Sequence, residues 1–366
     1  MSRVTYAFPL LLALAAACRE QGAVPTAGRP LFAAAAPAAC PTPATVTVSD
    51  EAGLRAAIAA ATPGTVIGIQ GMIGLTQDDT VRTAGITITC ATPGSGLFAV
   101  AGGSATDMLT VDARKVSVDH LVLDASQAID GPYLSENDGV TAFAVGAVVT
   151  DNTFQALGPF TGIQLQTNGA VGEIRIDGVR VERNTLVTTA PSTGGRQGAI
   201  RPFDAANAVI ADNTAIGPWR AGVSATRLAN SRVSGNSIQG ARLFGIQTSP
   251  QAVLPVLSDV FSNNRVSGAG VAGVFVRLAC GNTFVGNNLQ GNASNLGLVF
   301  DATSGANSYA GDRNLVVDNG AFDCNGDGVN DPNIISGPGM ARHGLGMGVS
   351  EAAGGAPHTV HGIVVK

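Results

Sequence analysis

Only two of the 366 residues are lysine, Lys115 and Lys366, and charged residues of all kinds make up 13% of the chain. A globular domain carries about 25%. The net charge is −5, so there is no basic footprint, which argues against nucleic acid and against an anionic membrane surface as partners. Aromatic residues are equally scarce at 5%, so large rings cannot build the core. What the chain has instead is 48 glycines and 45% apolar residues, a composition far from disorder. Small apolar side chains must pack against a regular backbone.

The apolar run Val4 to Ala17 follows Arg3, is broken by Pro9 and ends in Ala15-Ala16-Ala17-Cys18. Fourteen residues are too few to span a bilayer as a helix, so residues 1–17 read as a signal peptide. The small residues before Cys18 resemble a bacterial lipobox, with Ala15 where that motif has Leu. The resemblance implies lipidation of Cys18 and a tether over residues 18–43; plain secretory cleavage is the alternative. The expected location is therefore outer membrane or cell surface through a lipid anchor, or periplasmic or extracellular without one. Four further cysteines, Cys40, Cys90, Cys280 and Cys324, suit an oxidising compartment. Three pairings are open. Cys40 with Cys90 and Cys280 with Cys324 is favoured, because each pair then sits near one end of the repeats described next. Zinc is discounted, since no pair has CxxC spacing.

Ser49-Asp50-Glu51 offers an N-cap and first-turn acids ahead of Leu54, Ala57, Ile58 and Ala61, which follow helical spacing. Thr62-Pro63-Gly64 stops that helix, and short β segments follow, among them Thr65 to Gln70 and Ile86 to Thr89. An apolar residue then recurs three places before an Asn: Val149/Asn152, Val181/Asn184, Ile210/Asn213, Val233/Asn236, Phe261/Asn264, Phe284/Asn287 and Val316/Asn319. In six of these a Gly and a small or branched apolar residue come later: Gly162-Ile163, Gly198-Ala199, Gly222-Val223, Gly245-Ile246, Gly273-Val274 and Gly297-Leu298. The shortest Asn-to-Asn interval is 23 residues, which with no helix between marks a β-solenoid. Like residues should stack from coil to coil, and Asn suits the turn because it tolerates the left-handed region and can bond its neighbour above.

This pattern, a helix cap and then coils of apolar-x-x-Asn and Gly-apolar, resembles the right-handed parallel β-helix, or pectin-lyase-like, superfamily over residues 44–335, with a Gly-rich tail at 336–366. The resemblance implies an all-β, single-stranded right-handed parallel β-helix with a short N-terminal capping helix. It does not select a reaction, because lyases, hydrolases, epimerases, tailspikes and noncatalytic surface proteins share it.

The resemblance also implies a ligand groove along one sheet, and the Gly-apolar strands are its counterpart here. Alternation points Gln164, Gln166, Ser224, Thr226, Gln247, Phe275 and Arg277 outward, with Arg201 on the same row in a register the sequence leaves open. The inserts Thr167 to Asp177, Thr188 to Gln197 and Ser249 to Asp259 would wall the groove. Amides, hydroxyls and one Phe resemble a carbohydrate surface, and an ordinary solvated sheet face is the plainer alternative. The expected role is an exported envelope protein that binds a polysaccharide or cell-surface glycan, or is structural, without catalysis. The alternative is a polysaccharide lyase or epimerase acting on a uronate polymer, with Arg196, Arg201, Arg220 and Arg277 as candidate bases or charge neutralisers. Val116 to His120 resembles the Asp-His strand motif of pectate lyases, but their arginine-containing motif has no counterpart here, so Asp119 and His120 read as a polar strand-to-turn pair and take no catalytic role. The hydrolase motifs are absent. Trp219 could stack on a sugar or pack a turn, and His343, His358 and His361 read as tail residues.

Asp323-Cys324-Asn325-Gly326-Asp327-Gly328-Val329-Asn330-Asp331 places oxygens at alternating positions around a Gly turn. It resembles dockerin-type and thrombospondin-type calcium loops, which implies Ca²⁺ held by Asp323, Asn325, Asp327, the Val329 carbonyl and Asp331. Ile334 stands where an EF-hand has its bidentate Glu. Next to a cysteine and the last coil, such an ion would be structural.

Overall fold

The computed structural model describes residues 39–41, 43–103, 107–124, 130–136, 145–156, 161–167, 176–189, 198–248, 256–311, 314–337 and 341–343. The signal peptide and Cys18 expectations, the insert segments 168–175, 190–197 and 249–255, Arg196, His358 and His361 lie outside them. Among the described residues no helix is long and apolar enough to cross a membrane.

Asp50 caps the helix Glu51–Ala60, its Oδ1 accepting the Gly53 N–H at 2.7 Å, and Leu54, Ala57 and Ile58 are the buried face. Among the described residues the chain then coils through three long parallel sheets of 12, 11 and 8 strands, with two short sheets at one corner. Each full coil contributes one short strand to each long sheet, as in Val209–Ala211, Thr214–Ile216 and Ala221–Ala225. Paired residues in successive coils are 18 to 37 apart in sequence, and inward side chains sit on their counterparts one coil away: Val233, Phe261, Phe284 and Tyr309 form one column. Phe261 and Phe284 stack with ring centroids 4.8 Å apart, adding about 1 kcal/mol to the area they bury.

The asparagines form the ladder the repeat predicts. Asn152, Asn184, Asn213, Asn236, Asn264 and Asn287 are buried, and each Nδ2 donates to the Oδ1 of the next at 2.9 to 3.0 Å. The same oxygen accepts the neighbour's backbone N–H, as in Asn213 N to Asn236 Oδ1 at 3.0 Å. A turn with no regular partners for its peptide groups is thereby satisfied inside the protein. The residue before each Asn turns left-handed, including Asp151, Arg183, Asp212 and Asn263, and His120 holds the same position one coil earlier, before Leu121. Asn319 does not belong: Val316 lies on Leu315–Asp318 in the 11-stranded sheet, so the apolar-x-x-Asn spacing there is coincidental. A second ladder, unforeseen, runs Ser231, Asp259, Asn282, Asn307 and Asn333 at the opposite side of the 12-stranded sheet.

The recurring Gly has a steric cause. A Cβ on Gly222 would meet the Ile238 side chain, on Gly245 that of Val266, and on Gly162 that of Leu186, each from the sheet across the lumen. The 11-stranded sheet thus comes too close at these points for any side chain. The disulfides are Cys40–Cys90 and Cys280–Cys324, the favoured pairing. The 11-stranded sheet also continues into Ala341–His343, where His343 pairs with Asp318.

Candidate functional site

The 11-stranded sheet carries the predicted site row on its outer face. Cα pairing places Gln164 beside Arg201, Ser224 beside Gln247, Gln247 beside Phe275, and continues through Val299 to Val317. Arg201 and Ser224 follow the paired Ile200 and Val223, which settles the Arg201 register. Inward neighbours Ile163, Ile200, Val223, Ile246 and Val274 belong to the main core, so the row lies outside the lumen. At about 4.8 Å per coil the seven residues cover about 29 Å.

The row is outward but not solvated: Arg201 is 3% exposed, Gln247 1% and Phe275 7%. Alternation tells lumen from exterior and says nothing of what lies over the exterior. Arg201 Nη1 donates to Gln164 Oε1 at 2.9 Å, and its guanidinium lies 4.6 Å over the Phe203 ring. Gln247 differs, for both its amide atoms are buried with no hydrogen-bond partner. Thr226 is buried too, with its hydroxyl unpartnered. Phe275 stacks on Phe244 at 4.7 Å, within a second apolar cluster that includes Leu296, Val299 and Val317. The face is therefore polar at one end and apolar at the other. Gln166 lies on the strand Ile163–Thr167, paired with Ser135. Arg277 is partly exposed, its Nε 3.8 Å from Asp301 Oδ2.

One feature near the row escaped the sequence. Arg227 Nη1 lies 3.0 Å from Asp204 Oδ2, both side chains buried, at the corner just past Phe203. Their signal was opposite charges 23 residues apart, one coil period. Arg220 and Arg242 sit at the corner entering the same strands, where partial burial and then the Arg220 charge push the Arg242 guanidinium down.

The other candidates are placed elsewhere. Asp119 is buried on the 12-stranded sheet, where it accepts from the Thr89 and Ser117 hydroxyls and lies 3.3 Å from His120 Nδ1. That is a strand-to-turn polar pair, on a different sheet from the row. Trp219 is buried in the main core and packs its turn. In the loop 323–331 the side-chain oxygens accept the loop's own peptide groups: Asp323 from Gly326 and Gly328 at 2.7 Å, Asp327 from Val329 at 2.8 Å, Asp331 from Cys324 at 2.9 Å. These bonds hold the Asp323 carboxyl below its usual range, the Gly328 N–H first. Among the described residues no three His, Cys, Asp or Glu gather as a metal site.

The family described as Right handed beta helix region matches residues 122–322, and the chain belongs to it. No curated protein matches in sequence. Among solved structures the chain is similar to an alginate lyase from Paenibacillus sp. str. FPU-7, at 14% identity and TM-score 0.50 over 82% of this chain and 99% of that one. It is also similar to the enzymatically active domain of tailspike protein 2 of bacteriophage CBA120, at 12% identity and TM-score 0.50 over 80% and 44%. The A-module of a mannuronan C-5 epimerase from Azotobacter vinelandii follows at 14% identity and TM-score 0.47 over 86% and 96%. Such identities show a shared fold.

Proposed function

We propose that this right-handed β-helix protein is exported and binds an acidic polysaccharide on the outer row of its 11-stranded sheet, without cleaving it. Gln247 carries the reading. A buried amide with neither group partnered costs about 1–3 kcal/mol, and sugar hydroxyls supply the donors and acceptors it lacks. Arg201, anchored by Gln164, supplies the cation for a uronate carboxylate, and Phe275 an aromatic face. Gln164, Arg201, Ser224, Gln247, Phe275, Val299 and Val317 include no acid and no histidine, the groups that move protons near neutral pH. The alginate lyase that shares the fold makes uronate polymers the first ligands to test.

Incubation of the mature protein with alginate and pectate, reading co-sedimentation and the ultraviolet absorbance of unsaturated products, is the test. Binding without products is expected. Products formed by turnover would establish the lyase alternative, which the buried Arg227–Asp204 pair at the corner past the Arg201 strand favours. Loss of binding in Arg201→Ala would place the ligand on the row.

The two disulfides support an oxidising compartment. Lipidation of Cys18 is part of the proposal, and the mass of the membrane-extracted protein tests it: an unmodified N-terminus refutes it. Structural Ca²⁺ at residues 323–331 is proposed on the sequence of the loop alone, since its carboxylates are turned to their own backbone. Equal melting midpoints with Ca²⁺ and with chelator would remove it.

A further inference from the structure

A cavity of about 280 Å³ opens between the helix Glu51–Ala60 and the strand Asp79–Val81, the terminal strand of the 11-stranded sheet. It is far along the sheet from the row of Gln247 and has no part in the reading above. Ile58 and Ala59 give it an aliphatic wall, and Arg55, Asp79, Thr80, Arg82 and Thr83 give it polar groups.

Asp79 is the unusual member. Its side chain is 3% exposed, one oxygen accepts from Arg55 Nε at 2.8 Å, and the other has no partner. Arg55 is itself fixed, with Nη2 2.5 Å from Glu51, which in turn accepts the Thr76 N–H at 2.7 Å. Burial pushes the Asp79 carboxyl up more than the Arg55 bond pulls it down, the state of a carboxylate short of a donor. Arg82 faces the opposite need. It is 68% exposed, and its Nε stands 3.9 Å from Asp112 Oδ2, too long for a hydrogen bond. Thr80 and Thr83 line the same cavity, and a threonine hydroxyl can give or accept.

An ammonium group at Asp79 would put a second cation beside Arg55, whereas a neutral hydroxyl supplies the missing donor without one. An anion answers Arg82. We propose that this pocket binds a hydroxy-carboxylate the size of one uronic acid residue, a hydroxyl on Asp79 and the carboxylate on Arg82. The site stands whether or not the sheet row binds a polymer.

The test titrates the full mature chain with sodium glucuronate, and separately with glucose, following the backbone amide resonances of Thr80 and Thr83. Glucuronate should shift both, glucose should bind about tenfold more weakly, and Arg82→Ala should cost about the same factor. Arg82 is exposed, so its replacement leaves the fold intact. Unmoved amides, or equal affinity in Arg82→Ala, would overturn the proposal. A tetrauronate that shifts the same amides identifies a polymer end as the natural source; one that does not identifies the free sugar.

Discussion

Arg183 donates from Nε and Nη2 to the two carboxylate oxygens of Asp151, both at 2.8 Å, across the gap between one coil and the next. The two residues hold the same left-handed turn position in successive coils, as do His120 before them and Asp212 after. Anion and cation alternate along that corner in the order Asp151, Arg183, Asp212. The sign pattern fixes register on the surface as the asparagines fix it inside.

Acid should weaken that corner. Burial alone would raise the Asp151 carboxyl, but hydrogen bonds from Arg183 and Thr150 and the charges of Arg183 and His120 hold it below its usual range. Glu51 is also lowered: burial opposes, while the Thr76 bonds and Arg55 prevail. A lowered carboxyl contributes stability that is complete above its unfolded pKa and lost as pH falls through the folded one, here below about pH 4. Asp79 has the opposite sign, since its raised carboxyl contributes below its unfolded pKa and loses that as pH rises. Melting midpoints of wild type and Arg183→Gln from about pH 7 to about pH 3 check this. The variant should lose part of the acid sensitivity, and parallel curves would refute the assignment.

Asn236→Ala removes the donor to Asn264 and Ile210, and leaves the Asn213 amide and backbone N–H without their acceptor. A loss of about 3 kcal/mol is expected in denaturant unfolding. Asn319→Ala, outside the ladder, should cost less than about 1 kcal/mol. Similar losses at the two positions would deny the ladder its role.

Gly245→Val tests the close approach of the sheets. The new side chain would enter the space of Val266, and overpacking of that kind costs about 1–3 kcal/mol. Pairing it with Val266→Ala should recover part of the loss in a double-mutant cycle. Strict additivity would show that the contact is not the cause.

Gln247→Leu should separate stability from function. Replacing an unpartnered buried amide by an apolar group of similar size is expected to stabilise the fold by about 1 kcal/mol, while binding to the acidic polysaccharide falls. Unchanged binding would remove Gln247 from the site.

The solenoid was legible because stacking forces one residue type to recur, and Asn152 through Asn287 recur without substitution. The second ladder was hidden by its mixture, since Ser231, Asp259 and Asn282 perform one task with three side chains. Val316/Asn319 misled for the converse reason, as a three-residue spacing arises on any strand. The row of Gln164, Arg201, Ser224 and Gln247 followed from strand alternation, but its burial did not, because burial depends on segments remote in sequence. The Asp79 cavity was invisible: it needs the helix and the first coils together.

The two disulfides lie at opposite ends of the stack. Cys40 and Cys90 bracket the first strands of the 12-stranded sheet, and Cys280 is tied to Cys324 beyond the strand Leu315–Asp318. A coil in the middle is held by two neighbours, a terminal coil by one, so a solenoid opens from its ends like a zip. The strands Ile334–Ser336 and Ala341–His343 lie past the second staple and can still fray, but between the staples the opening must begin in the interior, where two interfaces break together. Reduction should therefore change the route of unfolding as well as its midpoint, replacing one cooperative loss by progressive fraying.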